Sequence, residues 1–368
     1  MNAMNTFSAT DHAMMARALR LAERGLYTTA PNPRVGCIIA QQGTIVAEAW
    51  HQRAGEPHAE ALALTAAGSA ANGATAYVSL EPCAHHGRTP PCADALIAAG
   101  VVRVVVAAED PFPQVDGAGL ARLRAAGIAV ECGLMHEAAR DLNRGFFSRI
   151  ERGRPWLRLK LAQSLDGRIA LANGQSQWIT GAAARADVQR WRARSDAILT
   201  GSGTARLDNP RLTVRWPAGP SHKDPLRVVL DSRLDALAPG YALLDGSAPT
   251  LIVHGANARC THPGYAAVEQ VEVATIGRYI DLKSMLAMLA ERGINEVQVE
   301  CGGRLGGSLF AAGLVDELVL YVAPIILGDA GQALLNLPSL TNMDERWGLR
   351  IADQRQVGGD LRLLLRAA

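Results

Sequence analysis

The sequence is poor in cysteine, aromatic residues and lysine, carries no excess of one charge, and has no long apolar run. Six cysteines in 368 residues, at positions 37, 83, 92, 132, 260 and 301, are too few for a disulfide scaffold. In the cytosol that this implies, Cys83 and Cys92 are expected as metal ligands or buried small residues rather than as a disulfide. Aromatics at 5% leave few stacking platforms for single-stranded nucleic acid. A net charge of +2 without blocks of like charge gives no electrostatic footprint for nucleic acid or membrane. No segment approaches the run of about 18 to 20 apolar residues that spans a bilayer. Asp11, Arg17 and Arg20 fall where a signal peptide needs an apolar core, so a cytoplasmic location is expected. Lysine is scarcest of all: Lys160, Lys223 and Lys283 stand against 34 arginines. A chain that uses Arg almost everywhere makes each Lys informative.

What is present describes an ordinary globular protein, 49% apolar and 20% charged, about twice the length of a typical domain. Two domains are expected, 1–150 and 151–368, with the polar, Gly/Pro-marked stretch SRIERGRPW (148–156) between them. In the first, Thr10 can cap a helix that Gly25 stops, and VGCIIA (35–40) and TIVAEA (44–49) read as a hairpin across QQG. Helices at 58–68, 91–100 and near 117–126 alternate with strands at 74–80, 102–108 and 128–133. The stretch 74–108 is a right-handed βαβ unit with parallel strands. The second domain repeats an α/β alternation, from WLRLKLAQS to a Gly-rich loop after EVQVE (296–300) and a last strand in VDELVLYVAPIIL.

One stretch, EPCAHHGRTPPC (81–92), poses a question of chemistry. Its cysteines are too far apart for a C-x-x-C knuckle and have no second pair nearby. The remaining parts lie upstream in PHAE (57–60). His58 and Glu60 open a helix, Cys83 follows a strand, and Cys92 opens another helix. Helix N-termini favour thiolates, so an imidazole and two sulfurs can gather there. Three ligands leave one tetrahedral position open, the arrangement of a catalytic zinc, which lowers the pKa of water to about 7. Glu60 is then the carboxylate that is not a ligand and shuttles protons. H-x-E followed by P-C…C is the signature of zinc-dependent base deaminases. The other four cysteines are expected as small buried or loop residues.

Eight residues separate Cys83 from Cys92 where such deaminases commonly have two. TAPNPRVGC (29–37), His51…GEPHAEALAL and EPCAHHGRTPPC together resemble the deaminase half of the bifunctional riboflavin-biosynthesis deaminase/reductases. The resemblance implies that Asn32 contacts a pyrimidine and that His51, His85 and Arg88 hold a ribose phosphate.

The second domain lacks a G-x-G-x-x-G fingerprint; TGSGTARLDNP (200–210) is a partial match only. ECGGRLGGS (300–308) is the better phosphate loop, since Gly302, Gly303, Gly306 and Gly307 could let backbone N–H groups approach a pyrophosphate at a helix start. KLAQSLDGRIA (160–170), SQWITG (176–181) and TGSGTARLDNPRLTVR (200–215) resemble the reductase half of the same family.

That resemblance implies an α/β fold of two domains. The N-terminal one is a cytidine-deaminase-like three-layer α/β/α sandwich, and the C-terminal one is dihydrofolate-reductase-like and uses NADPH. It places NADPH against Ala162, Trp178, Thr204, Asp208, Ser232, Gly302, Gly303, Arg304, Leu305, Gly306, Gly307 and Ser308. Ser176, Arg192, Leu212, Arg215 and Glu300 face the substrate, whose phosphate suits the guanidiniums of Arg192 and Arg215. Lys160, with Asp208, is expected in the chemistry of ribose ring opening. Ser232 and Arg233, after a strand, favour NADPH over NADH.

The expected function is zinc-dependent deamination of a diaminopyrimidinone ribosyl 5′-phosphate followed by NADPH-dependent reduction of the ribosyl to a ribityl chain. A small-molecule substrate and a homo-oligomer are expected, with neither nucleic acid nor membrane as partner. The competing reading is a deaminase of nucleic acid with a C-terminal RNA-binding or dimerisation module. Near-neutral charge and few aromatics count against it.

Overall fold

The computed structural model describes residues 7–84, 91–113, 115–217, 219–260 and 262–367. The chain divides into two compact units, Met1–Arg152 and Gly153–Ala368.

In the first unit α1 (Ala9–Ala22) precedes the hairpin β1 (Gly36–Gln41) and β2 (Thr44–Trp50). α2 (Ala59–Ala67), β3 (Thr75–Val78), α3 (Cys92–Ala98), β4 (Arg103–Val106), α4 (Ala118–Ala125) and β5 (Ala129–Cys132) follow. α5 (His136–Leu142) and α6 (Arg144–Arg152) close the unit. The sheet order is β2-β1-β3-β4-β5, with β1 antiparallel to both neighbours and β3, β4 and β5 parallel. Alternation along each strand splits its side chains between two apolar layers. Cys37, Ile39, Ala76, Val78, Val104 and Val106 meet α2, α3 and α4. Ile38, Ala40, Tyr77 and Val105 meet Met15, Ala18 and Leu19 of α1 and Phe146 and Phe147 of α6. This is the expected three-layer sandwich.

Two local expectations change. The N-cap of α1 is Ser8, not Thr10, because Ser8 and Asp11 form a reciprocal capping box that Thr10 cannot make from inside the first turn. The stretch 148–152 belongs to α6 rather than to an irregular connection, because Phe146 and Phe147 bury one face of that helix.

The second unit contains β6 (Trp156–Ser164), β7 (Arg168–Ala170), α7 (Ala182–Arg194), β8 (Ala197–Gly201), α8 (Ser202–Asp208), β9 (Leu226–Leu230) and β10 (Thr250–His254). Next come β11 (Glu269–Glu272), β12 (Thr275–Ile276), β13 (Tyr279–Ile280), α9 (Leu282–Glu291), β14 (Glu296–Glu300) and α10 (Gly303–Ala311). β15 (Glu317–Ala323), β16 (Gln332–Ala333), β17 (Leu349–Val357) and β18 (Asp360–Ala367) complete it. Nine strands form one sheet in the order β11-β10-β9-β8-β14-β6-β15-β18-β17. All pairings are parallel up to β15, after which the β17–β18 hairpin adds antiparallel strands. α9 and α10 cover one face through Met285, Leu286, Leu289 and Leu309, and α7 packs Ala184 and Val188 on the other. Lys160 lies opposite Glu300 in register, which sets the second site in the middle of the sheet.

The glycines after β14 correct an expectation. α10 starts at Gly303, so Gly306 and Gly307 lie inside a helix and not in a phosphate loop. An added Cβ on Gly307 would stand 2.2 Å from the Asn336 carbonyl oxygen, and one on Gly303 would stand 3.0 Å from that of Ala333. These positions need glycine so that the helix can lie against the 333–336 backbone. Gly307→Ala should therefore destabilise the unit by about 1–3 kcal/mol through overpacking. Gly302→Ala should cost far less, since a Cβ there meets nothing within 4 Å. Denaturant unfolding of both variants measures the difference.

Candidate active sites

His58 is the N-cap of α2, and Glu60 sits in the first turn, 3% exposed. Cys83 lies in the loop after β3 and Cys92 is the first residue of α3. His58 Nδ1 is 3.3 Å from Cys92 Sγ and 3.7 Å from Cys83 Sγ, and all three ligand atoms lie within 4.8 Å of one another. The first turn of α3 holds Cys83: the Cys92 N–H donates to Cys83 Sγ at 3.3 Å and the Ala93 N–H to its carbonyl at 3.1 Å. The Cys92 thiol, His58 and that N–H bring the Cys83 thiol down to about 4 against the opposing effect of burial, while Cys92 is pushed up.

This site fits zinc. One imidazole nitrogen and two sulfurs are a zinc donor set, and three ligands leave a tetrahedral position open. Glu60 Oε2 is buried without a hydrogen-bond partner. Burial pushes that carboxyl up to about 7, with His58 opposing. A buried carboxylate oxygen left unpartnered marks a place where a polar group is missing.

His51 is more constrained than the resemblance implies. Its Nδ1 donates to the Pro57 carbonyl at 3.1 Å, which leaves Nε2 to accept from Asn32 Nδ2 at 3.2 Å. The ring is 3% exposed and meets His58 edge-on, with centroids 5.4 Å apart. Both nitrogens are engaged, so His51 supports Asn32 and has no free donor for a phosphate. His85 and Arg88 lie outside the described residues.

In the second unit Arg192 on α7 forms a bidentate pair with Glu300, both contacts at 2.7 Å, and donates to the Thr213 carbonyl at 2.9 Å. Gln298 Nε2 adds a bond to Glu300 at 2.7 Å. Burial opposes ionisation of Glu300, but Arg192, with Lys160 behind it, holds the carboxyl down to about 2. Burial lowers the Lys160 ammonium, Glu300 works against that, and Arg192 adds to it. Arg215 is lowered by burial and by the nearby Arg192 and Arg211 guanidiniums. Among the described residues it has no carboxylate within ion-pair distance. An excess of positive charge beside Lys160 and Glu300 suits a phosphate. Leu212 has φ +50° and a buried side chain, so only its backbone can face a ligand.

The candidate cofactor residues divide into three groups. At α10, Gly302 is the N-cap, and the first intrahelical bond runs from the Gly306 N–H to the Gly302 carbonyl at 3.1 Å. The N–H groups of Gly303, Arg304 and Leu305 precede it and suit an anion. Ser308 Oγ turns back to the Arg304 carbonyl and Leu305 approaches Gly201. Trp178 is 68% exposed under the Arg185 guanidinium, 4.6 Å from the ring centroid, and Ser176 lies two residues before it. Thr204 and Asp208 lie on α8, while Ala162 pairs with Tyr321 in the sheet. At the end of β9, Ser232 precedes Arg233, which pairs with Asp235 at 2.9 Å; Arg206 also reaches Asp235, at 3.1 Å. The open helix N-terminus, exposed ring and paired guanidiniums fit a dinucleotide phosphate.

Known protein families match both units. The family model "RibD C-terminal domain" matches residues 155–363, and "Cytidine and deoxycytidylate deaminase zinc-binding region" matches residues 8–108. The chain is 47% identical to riboflavin biosynthesis protein RibD of Escherichia coli K12, covering 96% of this chain and 99% of that one. The chain belongs to the RibD family. RibD of Haemophilus influenzae is 45% identical, with 98% of each chain covered. Acinetobacter baumannii RibD, a solved structure, superposes with TM-score 0.91 at 41% identity over 98% of this chain and 99% of that one. A Thermotoga maritima deaminase/reductase superposes with TM-score 0.87 at 31% identity over 98% and 99%.

As a RibD-family protein, the chain is a deaminase and a reductase of riboflavin biosynthesis, with zinc and NADPH as cofactors. The nucleic-acid reading is not favoured. Its RibD relatives are bacterial enzymes, and no helix among the described residues is long and apolar enough to cross a membrane. Arg211, in the RLTVR segment, adds a guanidinium whose charge acts on Arg215, and the sequence marks it as a third Arg close to Leu212.

Proposed function

We propose that the first unit removes the 2-amino group of a 2,5-diamino-6-(ribosylamino)pyrimidin-4-one 5′-phosphate, and that the second reduces the ribosyl group of the product to ribityl. The observation that carries the first step is the His58–Cys83–Cys92 cluster with the orphaned Glu60 Oε2. Zinc held by those three residues supplies the Lewis acidity that activates water. Glu60 Oε2 takes one proton from the water and passes it to the ring nitrogen, then carries the second from the added hydroxyl to the departing amine, so water enters and ammonia leaves. Asn32, oriented by His51, contacts the pyrimidine, and His85 and Arg88 hold the phosphate.

In the second unit Arg192 and Arg215 bind the phosphate, and Arg211 adds to their field. Ser176, the Leu212 backbone and Glu300 orient the pyrimidine. Lys160 donates toward the ribose ring oxygen as the ring opens, with Asp208 acting in the same step, and Thr204, Trp178 and Ala162 contact the cofactor. NADPH supplies the hydride for C1′. The first turn of α10, with Arg304 and Leu305, takes the cofactor's phosphates, and Ser232 and Arg233 its 2′-phosphate. The protein is further proposed to be cytoplasmic and homo-oligomeric, with a small-molecule substrate and neither nucleic acid nor membrane as partner.

Zinc removal separates the two steps. Chelated protein should release no ammonia from the diaminopyrimidinone yet still oxidise NADPH with the deaminated intermediate. Loss of both activities, or of neither, would contradict the assignment.

Arg215→Ala should raise KM for the phosphorylated intermediate in the reductase step, a loss of about 1.5–3 kcal/mol for a charged hydrogen bond. A substrate without phosphate should be indifferent to the change. Steady-state kinetics with the two substrates checks this.

A further inference from the structure

Glu81, two residues before Cys83, is a buried carboxylate, 4% exposed, with an unusual set of partners. Its Oε1 accepts the N–H groups of Gly119 at 2.9 Å and Leu120 at 3.2 Å. Its Oε2 accepts those of Gly117 at 3.1 Å and Asp110 at 3.2 Å. Three of these are the N-cap, N2 and N3 donors of α4, whose own N-cap is Gly117 and has no side chain to satisfy them. Glu81 therefore caps a helix from outside it.

A second, independent feature acts at the neighbouring peptide. A Cβ added to Gly119 would lie 2.0 Å from the Pro82 carbonyl oxygen, so the first turn of α4 is packed directly on the Pro82–Cys83 link. On its other side Cys83 is held by the N–H groups of Cys92 and Ala93 at the start of α3. Cys83 is thus fixed between two helix N-termini, one contacting it directly and the other joined to it through Glu81 and Pro82.

We infer that Glu81 is a positioning residue for the deaminase metal site: by capping α4 it sets the place of Cys83 Sγ relative to His58 and Cys92. This rests on the reading of those three residues as the zinc ligands. Outer-shell partners of metal ligands commonly contribute 10- to 100-fold in metal affinity. Glu81→Gln turns an amide NH2 toward two N–H donors and removes the charge. Glu81→Asp keeps the charge and shortens the reach. Gly119→Ala presses chiefly on the Pro82 carbonyl, 2.0 Å from the new Cβ against 3.1 Å for Glu81 Oε1, and leaves the carboxylate in the chain.

The test uses full-length protein loaded with cobalt(II) in place of zinc, read by its sulfur-to-cobalt charge-transfer and d–d bands, and by metal retention against a competing chelator. Glu81→Gln and Gly119→Ala should shift the bands and weaken retention by about 10- to 100-fold, with Glu81→Asp partly restoring both. If the Gln variant does not fold, Gly119→Ala decides, with Glu81→Asp expected between it and the wild type. Folded variants that melt at lower temperature but keep wild-type bands and retention would overturn the inference and leave Glu81 a loop staple. Wild-type protein without sulfur-to-cobalt bands would instead overturn the ligand assignment itself, and the inference with it.

Discussion

Glu60→Gln should abolish deamination while the protein keeps its zinc. The three metal-binding atoms belong to His58, Cys83 and Cys92, so an isosteric amide at residue 60 removes none of them. What it removes is the carboxyl oxygen that is buried without a partner, the atom available to take up and return a proton. Positioned acid–base groups contribute about 10²- to 10⁴-fold to rate, and a fall of that size in kcat is expected. His58→Ala or Cys83→Ser should lose the metal along with the activity. Metal content measured beside ammonia release separates these cases. If zinc fell equally in Glu60→Gln, Glu60 would be a ligand and its proposed role wrong.

Arg192→Ala should damage the reductase unit in stability as well as in activity. It leaves Glu300 in a buried position with Lys160 and Arg215 as neighbouring cations, and breaking a buried pair typically costs about 3–5 kcal/mol. The pH dependence distinguishes this cause from lost packing. Glu300 has a folded pKa of about 2, against 4.5 for the free carboxyl. A depressed folded pKa gives stability that is present above the unfolded value and is lost as pH falls through the folded one. The wild type should therefore lose this contribution between about 4.5 and about 2. In Arg192→Ala burial remains and its sign is upward, so the carboxyl titrates higher and that acid-side loss disappears. The gap in melting temperature between the two proteins should be widest near neutral pH and close on acidification. A gap that stayed constant down the pH series would mean that the guanidinium contributes packing and not charge.

The two sites were legible in the sequence to different degrees. The deaminase centre could be read because its parts are close in sequence and sit at helix starts and a strand end, which short motifs define well. His58 caps α2 and Cys92 opens α3, as expected from PHAE and T-P-P-C. The hairpin across QQG was equally clear, since Gln42 and Gly43 both adopt positive φ there, the geometry of a two-residue turn. The occupied nitrogens of His51 were not legible, because they depend on Pro57 and Asn32 meeting in space. The reductase site joins β6, α7, the 211–215 segment and β14, so its Arg192–Glu300 pair spans 108 residues and no motif contains it.

Glycine was an ambiguous signal. A Gly-rich run after a strand fits both a phosphate loop and a helix pressed on a neighbouring backbone, and only the contacts of Gly303 and Gly307 with residues 333–336 distinguish them. The closing hairpin β17–β18 was missed although Val357-Gly358-Gly359-Asp360 is a turn signal. Most residues of β17 are exposed, so the strand lacks the apolar alternation that announces a half-buried one.

The most direct test of two successive activities in one chain is mass analysis of the product made by purified, zinc-loaded protein from the diaminopyrimidinone ribosyl phosphate. Without NADPH the product should have exchanged one amino group for oxygen and stop there. With NADPH the same product should gain two hydrogens, with one NADPH oxidised for each ammonia released. A substrate that gained hydrogens while keeping its amino group would contradict the order of steps, and one left unchanged in both tubes would contradict the function itself.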